Sequence, residues 1–475
     1  MSYETVTLPF KTRQLSPGRH VVVSTTGDHA FLSSEQLLLL QSSPGSLPLE
    51  QLAELRARFI VASAGPANGL RRLVASRVAA KRETIRGGPA LHIIVPTLQG
   101  QHSCRYCQVS RSLDDDTHTM SEKDLDTACD MIFESPSKTL TVEFQGGDPL
   151  LRYDLVHRAI VRISDLNQSM KRHIRFVVAS TLHQLDEEMC RCFKDHGVFL
   201  STSVDGPAAL HNRNRPTPTR DAYARTVAGI ELARRHIGPD AVSALMTTTR
   251  EALVDPEAIV DEYVRLGFSD VFLRPLSLYG FAKRNQPQLA YASEAFGAFY
   301  QRGLDRVLHW NRQGVRLREV YASIILNKLL SSFDGGYVDL QSPTGAGLSV
   351  LVYNYDGFVY PSDEARMLVE TGDLSLRLGR IGDSLAYLLS SPVQQDLIRA
   401  SLTEFTPGCR ECAYSTFCAP NPVDAQAQFG TLFAPVFLTN HCNRHMRLFD
   451  SLLSRLYEAD DWTRDLFHQW AEPAA

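Results

Sequence analysis

This sequence lacks three features, and each absence excludes a class of protein. No apolar run in its 475 residues approaches the roughly 20 residues that a membrane-spanning helix needs. Neither sign of charge dominates, because 49 basic and 53 acidic residues leave a formal charge of −4, so nothing indicates a nucleic acid or an anionic membrane as partner. The first residues lack the charged-then-apolar layout of a signal peptide. We therefore expect a cytoplasmic protein that binds neither membrane nor nucleic acid.

The cysteines carry the first positive signal. A disulfide framework is not expected from the nine of them, because the cytoplasm keeps thiols reduced. Two form a C-x2-C pair, Cys104 and Cys107. Four more near the C-terminus have the spacing C-x2-C-x5-C-x23-C, which is typical of a metal site: Cys409, Cys412, Cys418 and Cys442. Four thiolates suit a structural zinc ion and a [4Fe–4S] cluster equally well, so both remain open at this point.

Apolar periodicity divides the chain into three parts. We predict a small α+β module over 1–86, an α/β region over 87–335, and a cysteine-bearing C-terminal domain with a terminal helix over 336–475. In the middle region helical patterns separate strand-like runs at 91–98, 140–147, 174–180, 198–206, 242–249 and 270–276. Such alternation predicts parallel strands with right-handed crossovers. Six units are too few for a closed eight-stranded barrel, so we predict a partial (β/α)6 barrel of the TIM type.

Three further elements follow from the pattern after the strands. A long helical region is predicted over about 291–333, and a hairpin with its turn at Asp356-Gly357 comes next. A last helix is predicted over about 444–470.

Two motifs fall at the ends of the first two barrel strands, where such folds carry their active sites. The C-x2-C pair follows the first strand, and Gly146-Gly147-Asp148-Pro149 ends the second. Two glycines at a strand end allow the backbone to approach a ligand closely, with free N–H groups facing it. Two other interpretations remain, namely a thioredoxin-like redox pair for the cysteines and a simple strand-to-helix turn for the glycines.

Together these residues resemble the radical S-adenosylmethionine (SAM) superfamily. The segments HSCRYCQVSR, EFQGGDPLL, STSVDGPAALHNRNRP, RPLSLYGFA, YPSDEARML and CRECAYSTFCAPNPV are similar to the His-Xaa-Ser system radical SAM maturases, along most of residues 90–450. The resemblance implies a [4Fe–4S] cluster in a cysteine loop, SAM on its open iron, and a 5′-deoxyadenosyl radical that modifies a ribosomally made peptide. It also implies a one-electron donor, and it leaves a paired radical SAM protein open as a partner.

The resemblance assigns roles to particular residues. Cys104 and Cys107 would hold the active-site cluster, and the four C-terminal cysteines would hold one auxiliary cluster of the SPASM or twitch type. Ser362 and Pro422 stand where a second auxiliary cluster would need cysteines, so one such cluster is expected. Asp363 is a candidate proton acceptor, with a solvated turn aspartate as the alternative. Positions near SAM are Tyr106, Gly146, Gly147, Asp148, Pro149, Ser180, Ser201 and Asp205, with Arg274 as a weaker match.

The sequence departs from the family at one position that matters. The family places its first cluster cysteine four residues before Cys104, where this chain has Gly100, and a glycine cannot ligate iron. His102 is a candidate replacement because imidazole ligates some iron–sulfur centres, and a surface-loop histidine is the alternative. Two functions therefore stay open. The first is a radical SAM peptide maturase, and the second is a degenerate fold that binds a peptide or partner and keeps only the auxiliary cluster.

The N-terminal module also allows two interpretations. It resembles the leader-peptide recognition modules of such maturases, in which the peptide would add a strand to the edge of the sheet. The alternative is a structural cap on the barrel.

Overall fold

The structure is a computed structural model that describes residues 4–64, 68–102, 104, 106–107, 116–331 and 333–472. Its strands, numbered along the chain, are β1 (Thr5–Thr7), β2 (Phe10–Ser16), β3 (Arg19–Ser24), β4 (His29–Ser33), β5 (Val61–Ser63), β6 (Leu91–Thr97), β7 (Thr139–Gly146), β8 (His173–Ala179), β9 (Val198–Ser203), β10 (Val242–Leu245), β11 (Asp270–Val271), β12 (Arg318–Glu319), β13 (Val350–Tyr353), β14 (Phe358–Tyr360) and β15 (Gly379–Arg380).

The helices are numbered in the same way. They are α1 (Ser34–Ser42), α2 (Leu49–Ala57), α3 (Asn68–Lys81), α4 (Glu83–Arg86), α5 (Glu122–Ile132), α6 (Tyr153–Met170), α7 (Glu187–Asp195), α8 (Ala208–Asn214), α9 (Ala222–His236), α10 (Pro256–Arg265), α11 (Gly280–Arg284), α12 (Gln286–Leu289), α13 (Ser293–Arg312), α14 (Val320–Leu330), α15 (Asp363–Val369), α16 (Leu385–Ser390), α17 (Pro392–Ser401), α18 (Pro422–Phe429), α19 (Asn440–Glu458) and α20 (Asp461–Ala471). None of the described helices is long and apolar enough to cross a lipid bilayer.

The chain forms two compact units, and neither is a continuous stretch of sequence. The first joins Met1–Arg86 to Ala322–Gly345 and Ile398–Ala475, and the second joins Gly87–Tyr321 to Ala346–Leu397. The predicted division into three consecutive domains is a different partition, and it stays a prediction.

The second unit is built on an eight-stranded sheet of order β10-β9-β8-β7-β6-β13-β14-β15. Its strands from β10 to β13 pair in parallel, and β13, β14 and β15 pair antiparallel. The helices α5, α6, α7 and α9 separate the strands from β6 to β10 along the chain, as parallel pairing requires. The predicted α/β partial barrel is therefore confirmed. An added feature is β13, which extends the parallel part of the sheet beyond β6.

The sixth predicted strand is much shorter than expected. β11 contains only Asp270–Val271 and pairs with β12 in a separate two-stranded parallel sheet. The end of this segment still lies beside β10, because the Thr248 amide donates to the Arg274 carbonyl oxygen at 2.9 Å. In the described structure no strand ladder joins β10 to β11, so this hydrogen bond is made outside the eight-stranded sheet.

The first unit contains a three-stranded antiparallel sheet of order β2-β3-β4, and β1 pairs with β5 separately. Its core is made of buried aliphatic side chains from the sheet, α1 and α2, including Val22, Leu40, Leu55 and Ile60. Helix α1 begins at Ser34, because Ser33 and Gln36 form a reciprocal capping box. In the described part of this sheet, β2 and β4 are edge strands.

Two of the predicted helices are interrupted. The region predicted as one helix over 291–333 is divided into α13, β12 and α14, because Gly314 takes a positive φ of 84° just after α13 and ends it. The predicted terminal helix is two helices, since the Asp460 side chain accepts from the Thr463 amide and starts α20 anew. The predicted hairpin is confirmed as β13 and β14, which pair antiparallel on either side of Asp356-Gly357.

Candidate functional site

A cavity of about 310 Å³ lies within the second unit, at the carboxyl ends of the parallel strands. It is lined by the segment after β6, by the ends of β7, β8 and β9, and by the start of α15. Most of the residues identified from the sequence line it: Cys104, Tyr106, Cys107, Gly146, Gly147, Asp148, Ser180, Ser201 and Asp363. Arg274, the weaker match, lines it as well. Pro149 and Asp205 are buried beside the cavity rather than in its lining.

Gly146 and Gly147 lie so close to another backbone segment that neither position has room for a side chain. A Cβ atom on Gly146 would lie 2.2 Å from the carbonyl oxygen of Thr97, and one on Gly147 would lie 1.9 Å from that of Gln99. The Gly147 amide donates to the Thr97 oxygen at 3.0 Å, and the Asp148 amide donates to the Gln99 oxygen at 2.6 Å. The expectation that free N–H groups face a ligand is therefore wrong for these two amides. They instead bind the segment after β6, which leads to the cysteines.

Asp148 ties two strand ends together. Its carboxylate accepts from the Ser180 hydroxyl at 2.7 Å, and from the Thr181 amide and hydroxyl at 3.1 and 2.5 Å. It also accepts from the Leu150 amide at 3.2 Å and so caps the turn after β7. Asp148 and Ser180, both expected near SAM, thus form one buried network at the cavity wall.

Tyr106, Asp205 and Arg215 form a second buried network. The Tyr106 hydroxyl donates to the Asp205 carboxylate at 2.6 and 2.8 Å, and the Arg215 Nε donates to it at 3.3 Å. The Arg215 guanidinium also lies over the Tyr106 ring, 5.2 Å from its centroid. Burial raises the pKa of Tyr106 well above its usual range, so the phenol stays neutral. This network fixes the tyrosine that stands between the two cysteines.

His102 lies at the cavity and not on the surface. Its side chain is 5% exposed, and burial lowers its pKa to about 2, so the ring is neutral. Its Nε2 lies 3.3 Å from both ring nitrogens of His183, and its Nδ1 has no hydrogen-bond partner in the described structure. The surface-loop alternative for His102 is therefore wrong.

Glu143 lies in the cavity and is not among the residues that the sequence motifs identify. Leu140, Val142 and Phe144 occupy the buried face of β7, so Glu143 and Gln145 share the other face and line the cavity. The Gln145 amide donates to Glu143 at 2.8 Å. Burial, and next the nearby Asp363 carboxylate, raise the pKa of Glu143. A charged residue within an apolar strand was the available signal.

Asp363 is not the solvated turn residue that was the alternative. It begins α15, its side chain is 18% exposed, and Arg366 donates to it at 2.7 Å. Arg366 itself is 2% exposed and lines the cavity. The sequence motifs do not identify it, because its burial depends on how α15 packs.

The chemistry of the lining fits a polar occupant. Four buried polar atoms of lining residues have no hydrogen-bond partner in the described structure: Gln101 Oε1, His102 Nδ1, Thr202 Oγ1 and Arg366 Nη1. An unpaired buried polar atom costs about 1–3 kcal/mol, so such atoms around one cavity indicate a ligand that pairs with them. The amino acid part, ribose and adenine of SAM offer both donors and acceptors. The lining therefore fits SAM.

The four C-terminal cysteines share one neighbourhood in the first unit. The thiols interact electrostatically, since Cys409, Cys412 and Cys442 all contribute to the raised pKa of Cys418. Burial raises the pKa of Cys409 to about 12 and that of Cys412 and Cys442 as well, so the metal-free thiols are neutral. Each must lose its proton to bind a metal.

The thiols do not converge on a single point. In the described residues, no three His, Cys, Asp or Glu side chains lie close enough to hold one metal ion. A zinc ion draws four sulfurs together around one atom, whereas in a [4Fe–4S] cluster each sulfur binds a different iron and the sulfurs stand farther apart. A zinc ion and a [4Fe–4S] cluster both remain compatible with these four thiols.

The two residues that replace further cysteines have structural roles. The Ser362 hydroxyl accepts from the Ala365 amide and caps α15. Pro422 is the first residue of α18, where its missing N–H is not needed. Neither position contributes a metal ligand, in keeping with one auxiliary cluster.

Comparisons with known proteins identify the class of this domain. Residues 94–262 match the Radical SAM superfamily. This stretch, just over a third of the chain, is similar to that superfamily, and it runs from within β6 to within α10 and includes Cys104 and Cys107.

Part of the chain is also similar in sequence to individual curated proteins. A serine-type anaerobic sulfatase-maturating enzyme of Klebsiella aerogenes is 24% identical over 201 residues, which are 40% of this chain and 47% of that one. The curated relatives that match are aligned over about half of their own length, between 44% and 54%.

Two solved structures share the fold. Native anSMEcpe with bound AdoMet and Kp18Cys peptide superposes with a TM-score of 0.64 at 16% identity, over 78% of this chain and 99% of that chain. SuiB of Streptococcus suis bound to precursor peptide SuiA superposes with a TM-score of 0.55 at 12% identity, over 92% of this chain and 99% of that chain.

Proposed function

We propose that this chain is a radical SAM enzyme that modifies a ribosomally made peptide. The observation that carries the proposal is the single cavity shared by the two cysteines after β6, the ends of β7 to β9, and four buried polar atoms without partners. The peptide substrate is supported by the two solved structures, since each of those proteins is bound to a peptide.

The residues around the cavity have separable roles in this proposal. Cys104 and Cys107 would hold an active-site [4Fe–4S] cluster, and Ser180 and Ser201 would contact SAM. When bound, the cluster and SAM would supply an electron and a 5′-deoxyadenosyl radical that removes a hydrogen atom from the peptide. The Gly146-Gly147 backbone holds the cysteine segment against β7, and Tyr106 is fixed by Asp205 and Arg215.

Asp363 and Glu143 would handle protons and orient the peptide. Both carboxylates line the cavity, and the Asp363 carboxylate contributes to the raised pKa of Glu143 after burial. Burial keeps Glu143 easier to protonate than a surface glutamate, and Arg366 holds Asp363 in place. A carboxylate of this kind can accept a proton from a peptide group that becomes acidic once a hydrogen atom has been lost.

The four cysteines of the first unit would hold one auxiliary [4Fe–4S] cluster. Their number and spacing support a metal site, and the resemblance to the radical SAM maturases favours a cluster at it. Its place in the reaction would be to pass electrons, in line with a one-electron donor as partner. A paired radical SAM protein is a further partner that the resemblance leaves open.

The N-terminal module would bind part of the peptide. Both outer strands of its sheet, β2 and β4, have an open edge in the described structure, and such an edge accepts an added strand. A structural cap remains the alternative. The Phe31 amide points away from β3, because the Ser24 amide donates to the Asp28 oxygen and the pairs of an antiparallel ladder alternate. Phe31→Pro should therefore weaken peptide binding more than Phe31→Ala only if β4 pairs with the peptide.

One experiment tests the enzyme proposal directly. Protein purified without oxygen should contain about eight iron atoms per chain if both clusters are [4Fe–4S], and it should release 5′-deoxyadenosine from SAM after reduction. Cys104→Ala is the matched negative control. A randomised peptide library, incubated with the reduced protein and SAM, should yield peptides with an altered mass that the control does not give.

The second candidate function rests on Gly100. A chain whose cavity holds no cluster would contain about four iron atoms and would not cleave SAM, and it would then act as a peptide-binding or partner protein. Gly100→Cys separates this case, because a Cβ at this position meets the Gly147 backbone only at an ordinary 3.7 Å. The wild-type protein would be a degenerate radical SAM fold if only this variant cleaves SAM.

A further inference from the structure

His102 is the most unusual side chain in the cavity. It is more than nine-tenths buried, and its Nδ1 has no hydrogen-bond partner in the described structure. Leaving such a nitrogen unpaired costs about 1–3 kcal/mol, so a buried imidazole in this state requires an explanation.

The neighbours of His102 allow one tautomer that suits a ligand. His183 Nε2 lies 3.2 Å from the carbonyl oxygen of Ala222, which can only accept, so His183 carries its hydrogen on Nε2 and has an acceptor at Nδ1. Both ring nitrogens of His183 lie 3.3 Å from His102 Nε2, and the tautomer assigned here is the one in which His102 Nε2 donates to His183 Nδ1. In that tautomer the unpaired Nδ1 of His102 carries a lone pair.

This arrangement is the one that metal-binding histidines use. A ligating histidine donates its other ring N–H to a fixed acceptor, which sets the tautomer and the direction of the lone pair. The acceptor here is His183, which Ala222 and the Thr226 hydroxyl hold in turn at 3.2 and 3.1 Å. His102, Cys104 and Cys107 line the same cavity and lie within six residues of one another.

We propose that His102 Nδ1 is the third protein ligand of the cavity cluster, with Cys104 and Cys107 as the other two. The inference rests on the proposed function and explains how a cluster can form opposite Gly100. The three ligating atoms do not converge on one point, since no such group exists in the described residues. Convergence is not required, because each ligand of a [4Fe–4S] cluster binds its own iron.

Iron content and a nitrogen-sensitive EPR signal test this inference. Reduced wild-type protein should show a hyperfine coupling to ¹⁴N that changes to ¹⁵N when histidine is isotopically labelled, in the part of the spectrum that SAM alters. His102→Ala should lose that coupling and about four of about eight iron atoms. The double variant Gly100→Cys/His102→Ala should regain the iron and show no histidine coupling, because a thiolate replaces the imidazole.

The control is another buried histidine. His92 is 1% exposed and lies at the far end of β6, so His92→Ala removes an equally buried imidazole without touching the cavity. Its iron content should match that of the wild type. A general loss of iron through instability would affect both variants and would be visible in this control.

The outcomes separate this inference from the proposed function. If His102→Ala keeps its iron and only binds SAM more weakly, the imidazole contacts SAM and the ligand assignment is wrong, while the enzyme proposal stands. If the wild-type chain already holds only about four iron atoms and the Gly100→Cys variant about eight, both fail for the wild type. Loss of the histidine coupling in His102→Ala, with iron restored in the double variant, supports the assignment.

Discussion

The two thiol sites of this protein differ in how completely the chain supplies their ligands. In the first unit, four cysteines form a full set, and burial makes them neutral thiols in the absence of metal. In the second unit, the cavity has two cysteines, a glycine where a third is expected, and a histidine whose lone pair faces no partner. The four-cysteine site can be identified from the spacing of its cysteines. The ligands of the cavity site also depend on which side chains the tertiary structure places near its two cysteines.

The difference also concerns what surrounds each site. The four-cysteine site is supported by cations of β2, since Lys11 donates to Ser415 and Arg13 pairs with Asp450. Around the cavity, carboxylates are hydrogen-bonded to arginines, and several buried polar atoms have no hydrogen-bond partner in the described structure. A site that only holds a cluster needs charge balance, and a site that binds a ligand needs unpaired polar groups.

The largest effect should come from exchanging a cysteine at each site. Cys107→Ala should remove about four iron atoms and abolish release of 5′-deoxyadenosine. Cys418→Ala should also remove about four iron atoms, yet it should keep the EPR signal that SAM alters. Iron analysis and EPR of the two variants side by side check this, and the two-site comparison is wrong if both lose the SAM-dependent signal.

A smaller but still large effect is expected at the glycines beside the cavity. Gly147→Ala should destabilise the protein by about 2–4 kcal/mol, because its Cβ would lie 1.9 Å from the Gln99 oxygen. Gly100→Ala is the matched control, with its Cβ 3.7 Å from the nearest atom, and it should change stability by about 1 kcal/mol or less. Chemical denaturation of both variants measures the difference. Equal stabilities would contradict the close approach of the two segments.

Glu143 should make stability depend on pH. Because burial raises its pKa in the folded state, its ionisation disfavours folding, and its favourable contribution is complete only below the unfolded pKa of about 4.3. That contribution is lost as the pH rises through the folded pKa. Glu143→Gln should therefore raise the melting temperature by about 1–3 °C at pH 8 and leave it unchanged near pH 4.

The control for this prediction is an exposed glutamate of the same unit. Glu231→Gln on α9 should shift the melting temperature at neither pH, since its side chain is solvated and lies away from the ends of the helix. A pH-independent gain for Glu143→Gln would mean that packing rather than charge is responsible.

The smallest effect is expected at Lys11. Its ammonium interacts electrostatically with the thiols of Cys409 and Cys412, so it should raise the reduction potential of the auxiliary cluster. Lys11→Met should lower that potential by on the order of tens of millivolts, a small part of the range that such clusters span. Redox titration followed by EPR checks this, with Lys11→Arg as the charge-keeping control. An unchanged potential in Lys11→Met would exclude the electrostatic role.

Much of the fold follows from local pattern. Four of the six predicted barrel strands and the hairpin at Asp356-Gly357 match the structure closely, while β10 covers only the first half of the run predicted over 242–249. The patterns are less informative where a short element interrupts helices, as β12 does, because two residues carry no periodicity. The break before α20 depends on the cap at Asp460, which an apolar periodicity does not reveal.

Some residues of the candidate site could likewise be identified from local sequence patterns, and others could not. Motif spacing identified Cys104, Cys107 and Gly146-Gly147, and the fold brings them to one cavity. Spacing gave a wrong physical reason for the glycines, because the carbonyl groups that crowd them belong to a segment 47 and more residues earlier. Glu143 and Arg366 were missed, since one charge in an apolar strand or helix does not indicate which way it faces.

The amino acid sequence by itself determined the alternating strands and helices, the complete four-cysteine set and the absence of a cysteine at position 100. These properties are local, since they depend on periodicity and on residue spacing along the chain. Only the tertiary structure decided that His102 is buried, that its Nε2 contacts the ring of His183, and that it lines the cavity of the two cysteines with its Nδ1 unpaired in the described structure. The reason is that burial and hydrogen-bond partners come from strands and helices far apart in sequence, which a spacing pattern cannot bring together.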